Sequence, residues 1–183
     1  YRDGKAVRMS KRTGEMVTFE ELIDEVGVDS TRWMMLSRSA DQTIDFDIEA
    51  AKRKDASNPV YYVQYNHARI CSILHRGAGI KESQESDVAT ASPDVEEKIP
   101  HDIDAIAAKA AGDDVDLSVL TDSSEIALMR KMDDFTQLVA DAARDRAAFR
   151  LTHYALELAR LFSEFYTKCH VLGDDAKLQV ARL

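Results

Sequence analysis

A basic segment near the start of the chain has the composition of a phosphate-contacting loop. Residues 8–14 read Arg-Met-Ser-Lys-Arg-Thr-Gly. Lys11 supplies a mobile point charge, Ser10 supplies a hydroxyl, and Gly14 lets the chain bend. Such groups can stabilise the charge that develops on a phosphate during a reaction. The same composition also suits a solvated basic turn, so the residue types alone leave both interpretations open.

Aromatic and basic residues share one face of a predicted helix over residues 58–76. Tyr61, Tyr65 and Arg69 follow one another at intervals of four, which places them on one side of a helix. Tyrosine rings stack on unpaired bases, and a guanidinium binds phosphates or base edges. Tyr166, which falls just off the apolar stripe of a later helix, is a further candidate. The alternative is that these tyrosines are packed core or helix-end residues with hydroxyls at the rim.

The same helix carries His67, Cys71 and His75 at the spacing of a possible zinc site. Three ligands are local, and the remote pair Cys169-His170 would have to complete the set. We therefore favour no metal site and interpret Cys71 as a small core residue.

The elements before residue 58 predict a small mixed α/β unit. Thr18 and Glu21 form a capping-box pattern at a helix start, and Gly27 is suited to end that helix. A second helix is expected to follow, with Asp29 or Ser30 as its cap. Residues 43–47 alternate polar and apolar side chains, as a half-buried strand does, and residues 48–54 predict a short helix.

From Asn58-Pro59 onward the pattern predicts an α-helical bundle, so the fold class is mainly α. Asn58 is the expected cap of the helix that Gly77 ends. Apolar residues at helical spacing continue in two later runs, the first capped by Ser123 or Ser124, and Asp174 starts a last helix. The predicted domains are 1–57 and 58–183, with an acidic insertion at 78–122 that holds one helix near 103–110. The positions that define the two runs are Ile126, Met129, Met132, Phe135, Leu138 and Ala142, then Leu151, Tyr154, Leu158, Leu161, Phe165 and Cys169.

Charge is distributed unevenly along the chain. The formal net charge is −9, but residues 81–125 hold 13 acids and 3 lysines, and the first sixteen residues have a net charge of +3. A phosphate partner is thus permitted at the start of the chain and disfavoured along the acidic stretch. No run of 18 apolar residues exists to cross a membrane, and two cysteines favour a reducing, cytoplasmic setting.

The order of these residues resembles that of arginyl-tRNA synthetases of the bacterial type. Met9-Ser10-Lys11 matches the signature loop of class I aminoacyl-tRNA synthetases, usually Lys-Met-Ser-Lys-Ser, with arginines at the first and last positions. The run from Asn58 to Arg69 is similar to the opening helix of the family's anticodon-binding domain. Further matching segments are Val-Thr-Phe-Glu-Glu-Leu at 17–22, Arg-Trp at 32–33, Asp-Phe-Asp at 45–47, Asp-Leu-Ser at 116–118, Phe-Tyr at 165–166 and Val-Leu-Gly at 171–173.

The resemblance implies an arginine–tRNA ligase. ATP with magnesium would then be a substrate of the full enzyme, with no cofactor tightly bound by this segment. Met9, Ser10 and Lys11 would serve catalysis, with Lys11 on ATP, while Tyr65, Arg69 and Tyr166 would bind tRNA(Arg). We expect a monomer without membrane association. The family's His-x-Gly-His signature is not found among the five histidines, so we expect a C-terminal fragment that is inactive alone.

A different class of function is a non-enzymatic α-helical interaction module, in which the acidic stretch meets a basic partner. That hypothesis explains the net charge of −9 and the helices. It does not explain why Met-Ser-Lys and the Asn58 to Arg69 run occur together in family order.

Lys11→Ala in the full-length enzyme is expected to slow arginine activation and to leave the melting temperature near that of the wild type. Changes in an exposed polar loop usually alter stability by no more than about 0.5 kcal/mol, whereas the lost charge removes phosphate stabilisation. ATP–pyrophosphate exchange at saturating tRNA, beside a thermal melt, checks this. Unchanged exchange kinetics would remove Lys11 from the catalytic residues.

Overall fold

The computed structural model describes residues 18–77, 115–173 and 175–183. These residues form helices, one 3-10 turn at Leu117–Val119, and loops, without a strand. The helices are α1 (Phe19–Val26), α2 (Val28–Leu36), α3 (Ile48–Lys52), α4 (Pro59–Gly77), α5 (Ser123–Asp133), α6 (Phe135–Asp145), α7 (Phe149–Lys168) and α8 (Ala176–Arg182). The mainly α fold class is confirmed. No helix of these described ranges has the length and apolarity needed to cross a bilayer.

Contacts divide the described residues into two compact units. One holds the residues up to Gln64 together with Asp133–Ala159, and the other holds Tyr65–Met132 with Arg160–Leu183. These compact units do not test the predicted domain boundary at residue 58, which stays a prediction.

The start of α1 follows the sequence signal. Thr18 Oγ1 accepts a hydrogen bond from the Glu21 N–H at 3.1 Å, and Glu21 Oε2 accepts one from the Thr18 N–H at 2.8 Å. Gly27 ends the helix with φ 84°, in the region that favours glycine. The capping box and the stop are confirmed.

The predicted cap of α2 was wrong by two or three residues. Gly27 itself precedes the helix, which begins at Val28. Asp29 lies in the first turn, where its Oδ2 accepts a hydrogen bond from Gln64 Nε2 of α4 at 2.8 Å. Ser30 is buried and its hydroxyl lies 3.4 Å from the carbonyl oxygen of Ala51. Both side chains therefore make tertiary contacts instead of capping.

The predicted strand at residues 43–47 is also wrong. Ile44 and Phe46 are half-buried and Thr43 and Asp45 are exposed, as the alternation indicated, yet the segment is a loop. A strand needs a neighbouring strand to satisfy its backbone groups, and none exists among the described residues. The mixed α/β character of this unit is therefore not observed. Helix α3 stops at Lys52, two residues early, because Arg53 is extended.

Asn58 fixes the beginning of α4, as predicted. Its Oδ1 accepts a hydrogen bond from the Val60 N–H at 3.0 Å, and its Nδ2 donates to the carbonyl oxygens of Ala51 and Arg53 at 2.9 and 2.8 Å. One buried amide thus caps α4 and ties it to the end of α3.

Aspartates, not the predicted residues, cap α5 and α8. Asp122 Oδ1 accepts from the backbone N–H and the hydroxyl of Ser124 at 2.8 and 2.6 Å. Both bonds lower the pKa of Asp122 below its ordinary value, and the bond from the Ser124 hydroxyl has the larger effect. Asp175 caps α8 through the N–H groups of Lys177 and Leu178; Asp174, the predicted start, lies outside the described residues.

The apolar runs are only partly buried. The first run is interrupted at Asp134, between α5 and α6, and Met132 and Phe135 beside the break are exposed. In α7, Leu151 is exposed and Phe162 takes the core position expected for Leu161. The core of the second unit contains Ile73, Phe162, Phe165, Cys169 and Val171, with Ile70, Leu128 and Leu183 against it.

A buried ion pair joins α5 to α8. Glu125, which is 3 % exposed, accepts a hydrogen bond from Arg182 Nε at 2.7 Å. Its other carboxylate oxygen accepts the Asp122 N–H at 2.8 Å, and Arg182 Nη1 donates to the carbonyl oxygen of His170 at 2.9 Å. The buried carboxylate therefore depends on Arg182 for its charge partner.

Arg182→Met is expected to lower the free energy of unfolding by about 3 kcal/mol, because it leaves a buried carboxylate without its cation. The matched control is Lys168→Met, which breaks an exposed pair with Glu164 and should cost at most about 1 kcal/mol. Urea denaturation followed by circular dichroism measures both. Equal midpoints for the two variants would contradict the assigned role of Arg182.

Candidate nucleic-acid interface

The structure brings Tyr65, Arg69 and Tyr166 together in the second unit. The Arg69 guanidinium carbon lies 4.6 Å from the ring centroid of Tyr65 and 4.7 Å from that of Tyr166. Arg69 Nη2 also donates to the Tyr65 hydroxyl at 2.6 Å. We call these three residues the Tyr-Arg-Tyr cluster. A cation over two aromatic faces is held by their quadrupoles, so the guanidinium has a defined place.

Two helices supply the cluster, α4 with Tyr65 and Arg69 and α7 with Tyr166. The two tyrosines of α4 and α7 remain accessible, at 42 % and 36 % exposure. Three residues before Arg69 and Tyr166, the side chains of Asn66 and Ser163 meet across the same two helices, with Ser163 Oγ donating to Asn66 Oδ1 at 2.7 Å. The cation–π contact of Arg69 with Tyr166 therefore lies three residues further along each helix than this hydrogen bond.

One side of the Tyr166 ring packs against the core, and the residue remains 36 % exposed. Its centroid lies 6.1 Å from that of buried Phe162, with 28° between the ring planes, and Phe162 in turn contacts Phe165 at 6.2 Å. The sequence left open whether Tyr166 is a packed helix-end residue or a binding residue. The geometry has both features: the core holds the ring, and part of the ring faces outward.

The cluster can recognise unpaired nucleotides by three physical means. Exposed tyrosine rings can stack on bases, the tyrosine hydroxyls can hydrogen-bond to base edges or the 2′-hydroxyl, and Arg69 carries a charge for phosphate. On the turn after Tyr166, Lys168 pairs with Glu164 at 2.6 Å. A hydrogen bond from Lys168 to Glu164 raises the pKa of Lys168, so this lysine stays cationic but is already paired.

The remaining sequence candidates have different surroundings. Tyr61 is half-buried on α4. Cys71 Sγ lies 3.8 Å from Nε2 of His67, and Cys71 is partly exposed, so its interpretation as a core residue is wrong. The buried thiol is Cys169, 3.6 Å from the Ser124 hydroxyl. Within the described ranges, no three His, Cys, Asp or Glu side chains are grouped to hold a metal ion.

The predicted catalytic residues Met9, Ser10 and Lys11 lie outside the described residues, as does the predicted helix near 103–110. Sequence reasoning missed the Asn66–Ser163 pair. The available signal was a polar residue at position 66, one helical turn before Arg69. That signal is weak, because asparagine on a helix is usually exposed and the partner of Asn66 lies 97 residues away.

Comparison with known proteins supports the resemblance found in the sequence. The family model of the DALR anticodon binding domain matches residues 63–183. The arginine–tRNA ligase of Heliobacterium modesticaldum is 44 % identical over 183 residues, and that of Dehalococcoides mccartyi strain BAV1 is 41 % identical over 182 residues. Each match covers the whole of this chain and 29 % or 28 % of the relative, so the chain spans less than a third of their length.

A solved structure has the same fold. It is a Campylobacter jejuni protein assigned as an arginyl tRNA synthetase, with a TM-score of 0.68 and 25 % identity, covering 99 % of this chain and 33 % of that one. The family match covers most of the chain and includes every residue of the Tyr-Arg-Tyr cluster. On this basis the chain belongs to the DALR anticodon binding domain family.

Proposed function

We propose that this chain is the tRNA-binding part of an arginine–tRNA ligase and that its Tyr-Arg-Tyr cluster contacts the anticodon arm of tRNA(Arg). The observation that carries the proposal is the seating of Arg69 between two accessible tyrosines, within the region that matches an anticodon-binding family. Both curated relatives cited above carry the name arginine–tRNA ligase.

Each residue of the cluster has a distinct part in this proposal. Tyr166, supported from below by Phe162, offers a firm ring for a base to stack on. Tyr65 orients Arg69 through its hydroxyl. Arg69, already desolvated in part between two rings, presents its remaining N–H groups to a phosphate or a base edge. Because these side chains are held before binding, little conformational entropy is lost when RNA arrives.

The proposal extends to the whole enzyme. The enzyme would activate arginine, with ATP and magnesium as its substrate, and then transfer the arginine to tRNA(Arg). It would act as a cytoplasmic monomer. Met9, Ser10 and Lys11 would form the loop on the ATP phosphates, with Lys11 countering the charge that develops during adenylate formation. This segment alone is expected to be inactive, since the parts that would bind arginine and adenine are not recognisable in it.

The interaction-module hypothesis is less well supported. It rests on the acidic stretch, most of which lies outside the described residues. It also gives no reason for identities above 40 % with arginine–tRNA ligases along the entire chain. The enzyme hypothesis accounts for both the sequence order and the cluster.

Tyr166→Ala in the full-length protein is expected to weaken tRNA(Arg) binding by about 1–3 kcal/mol, the contribution of one stacked base. Tyr166→Phe keeps the ring and should bind within about threefold of the wild type if stacking is the main contact. Filter binding with a tRNA transcript measures the affinities, and arginine activation at saturating tRNA should change less. A thermal melt confirms that both variants fold. Equal affinity of folded Tyr166→Ala and wild type would remove Tyr166 from the site.

The isolated chain is expected to bind tRNA weakly, with a shallow dependence on salt that still takes this weak binding below detection as salt rises. Excluding residues 81–125, its charges sum to +1, from −9 and −10, so few counterions can be released. Titrations between low and physiological salt give the slope of log affinity against log salt. A steep slope, typical of six or more phosphate contacts, would show that the electrostatic contribution has been underestimated.

A further inference from the structure

Asn66 is the most buried large polar side chain of the second unit. It is 2 % exposed, and its Oδ1 accepts a hydrogen bond from the Ser163 hydroxyl at 2.7 Å, from a residue 97 positions away. An amide at this depth is unfavourable unless its polar atoms are hydrogen-bonded. The bond therefore exists only when α4 and α7 lie in one particular register.

The apolar contacts nearby do not impose such a register. Ile73, Phe162 and Phe165 pack in the core of the same unit, and the hydrophobic effect that holds them together is non-directional. A helix that rotated or slid by a small fraction of one residue could still bury comparable apolar area. A hydrogen bond is directional and short-ranged, so it distinguishes between arrangements that the core tolerates equally.

The register matters because the binding cluster is built across the same two helices. Arg69 follows Asn66 by three residues on α4, and Tyr166 follows Ser163 by three residues on α7. The Arg69 guanidinium carbon reaches 4.7 Å from the Tyr166 centroid in this register. One residue along a helix corresponds to a rise of about 1.5 Å and a rotation of about 100°, so even a fraction of that step would shift the guanidinium relative to the ring.

We infer that Asn66 and Ser163 are positioning residues for tRNA binding: their partly buried hydrogen bond sets the register of α4 on α7 and so places Arg69 on the face of Tyr166. This inference rests on the proposed function, and it adds residues that do not touch the RNA. Buried polar pairs that select one register at the expense of stability are known from helical assemblies.

The test compares Ser163→Val with Ser163→Thr in the full-length protein. Valine and threonine have nearly the same shape and are both β-branched, but only threonine keeps the hydroxyl. We expect Ser163→Thr to bind a tRNA(Arg) transcript like the wild type. Ser163→Val should bind about threefold to tenfold more weakly, the effect of losing one hydrogen bond. In aminoacylation, Ser163→Val should raise KM for tRNA and leave kcat nearly unchanged.

A double-mutant cycle separates positioning from stability. In a Tyr166→Ala background the ring that Arg69 must meet is gone, so the difference between the valine and threonine variants should shrink to less than about twofold. A residue needed only for folding would lower the melting temperature and give the same ratio in both backgrounds, and that result would overturn the inference.

The outcomes also distinguish this inference from the proposed function. Tyr166→Ala that binds tRNA like the wild type defeats the proposed function. Tyr166→Ala that binds weakly, while the Ser163 valine and threonine variants bind equally, defeats only the positioning role. If Ser163→Val does not fold, Ser163→Ala removes the hydroxyl without β-branching, and the same cycle with alanine against serine decides the question.

Discussion

The packing of α4 against α7 is the constraint on which the second unit depends. On α4, Asn66 makes a partly buried hydrogen bond to Ser163, and Arg69, three residues later, makes the cation–π contact with Tyr166. On α7, the core residues Phe162 and Phe165 lie directly before Ser163 and Tyr166. The core supplies most of the stabilisation, whereas the polar turn determines the alignment. The Tyr-Arg-Tyr cluster is therefore positioned by the hydrogen bond between Asn66 and Ser163, two residues that lie outside the cluster.

Signals that act within four residues could be predicted from the sequence. The Thr18–Glu21 capping box, the stop at Gly27 and the start at Asn58-Pro59 each depend on neighbours along the chain, and the structure has all three. The cap of α5 was mispredicted because Asp122, Ser123 and Ser124 are all good caps. Asp122 prevails because its carboxylate accepts two hydrogen bonds from Ser124, while Glu125 reaches back to its N–H.

Features that need a distant partner could not be predicted from local pattern. At residues 43–47 exposed and half-buried side chains do alternate as the sequence indicated. A strand, however, requires a second strand, and the described residues do not provide one. For the candidate site, helical spacing placed Tyr65 beside Arg69. Tyr166 entered through its resemblance to a family, and its approach to Arg69 from 97 residues away has no signature in periodicity. Asn66 was missed for the same reason.

The distribution of charge determines how such a surface can bind a polyanion in a chain of net charge −9. Glu125 is neutralised internally by Arg182, and Lys168 is paired with Glu164. If the cluster binds tRNA as proposed, these paired charges add little to the attraction, and short-range contacts would hold the nucleotide. Two tyrosine rings orient the Arg69 guanidinium through their aromatic faces. An acidic protein can in this way retain a cation for phosphate, because an aromatic face stabilises the charge but does not cancel it.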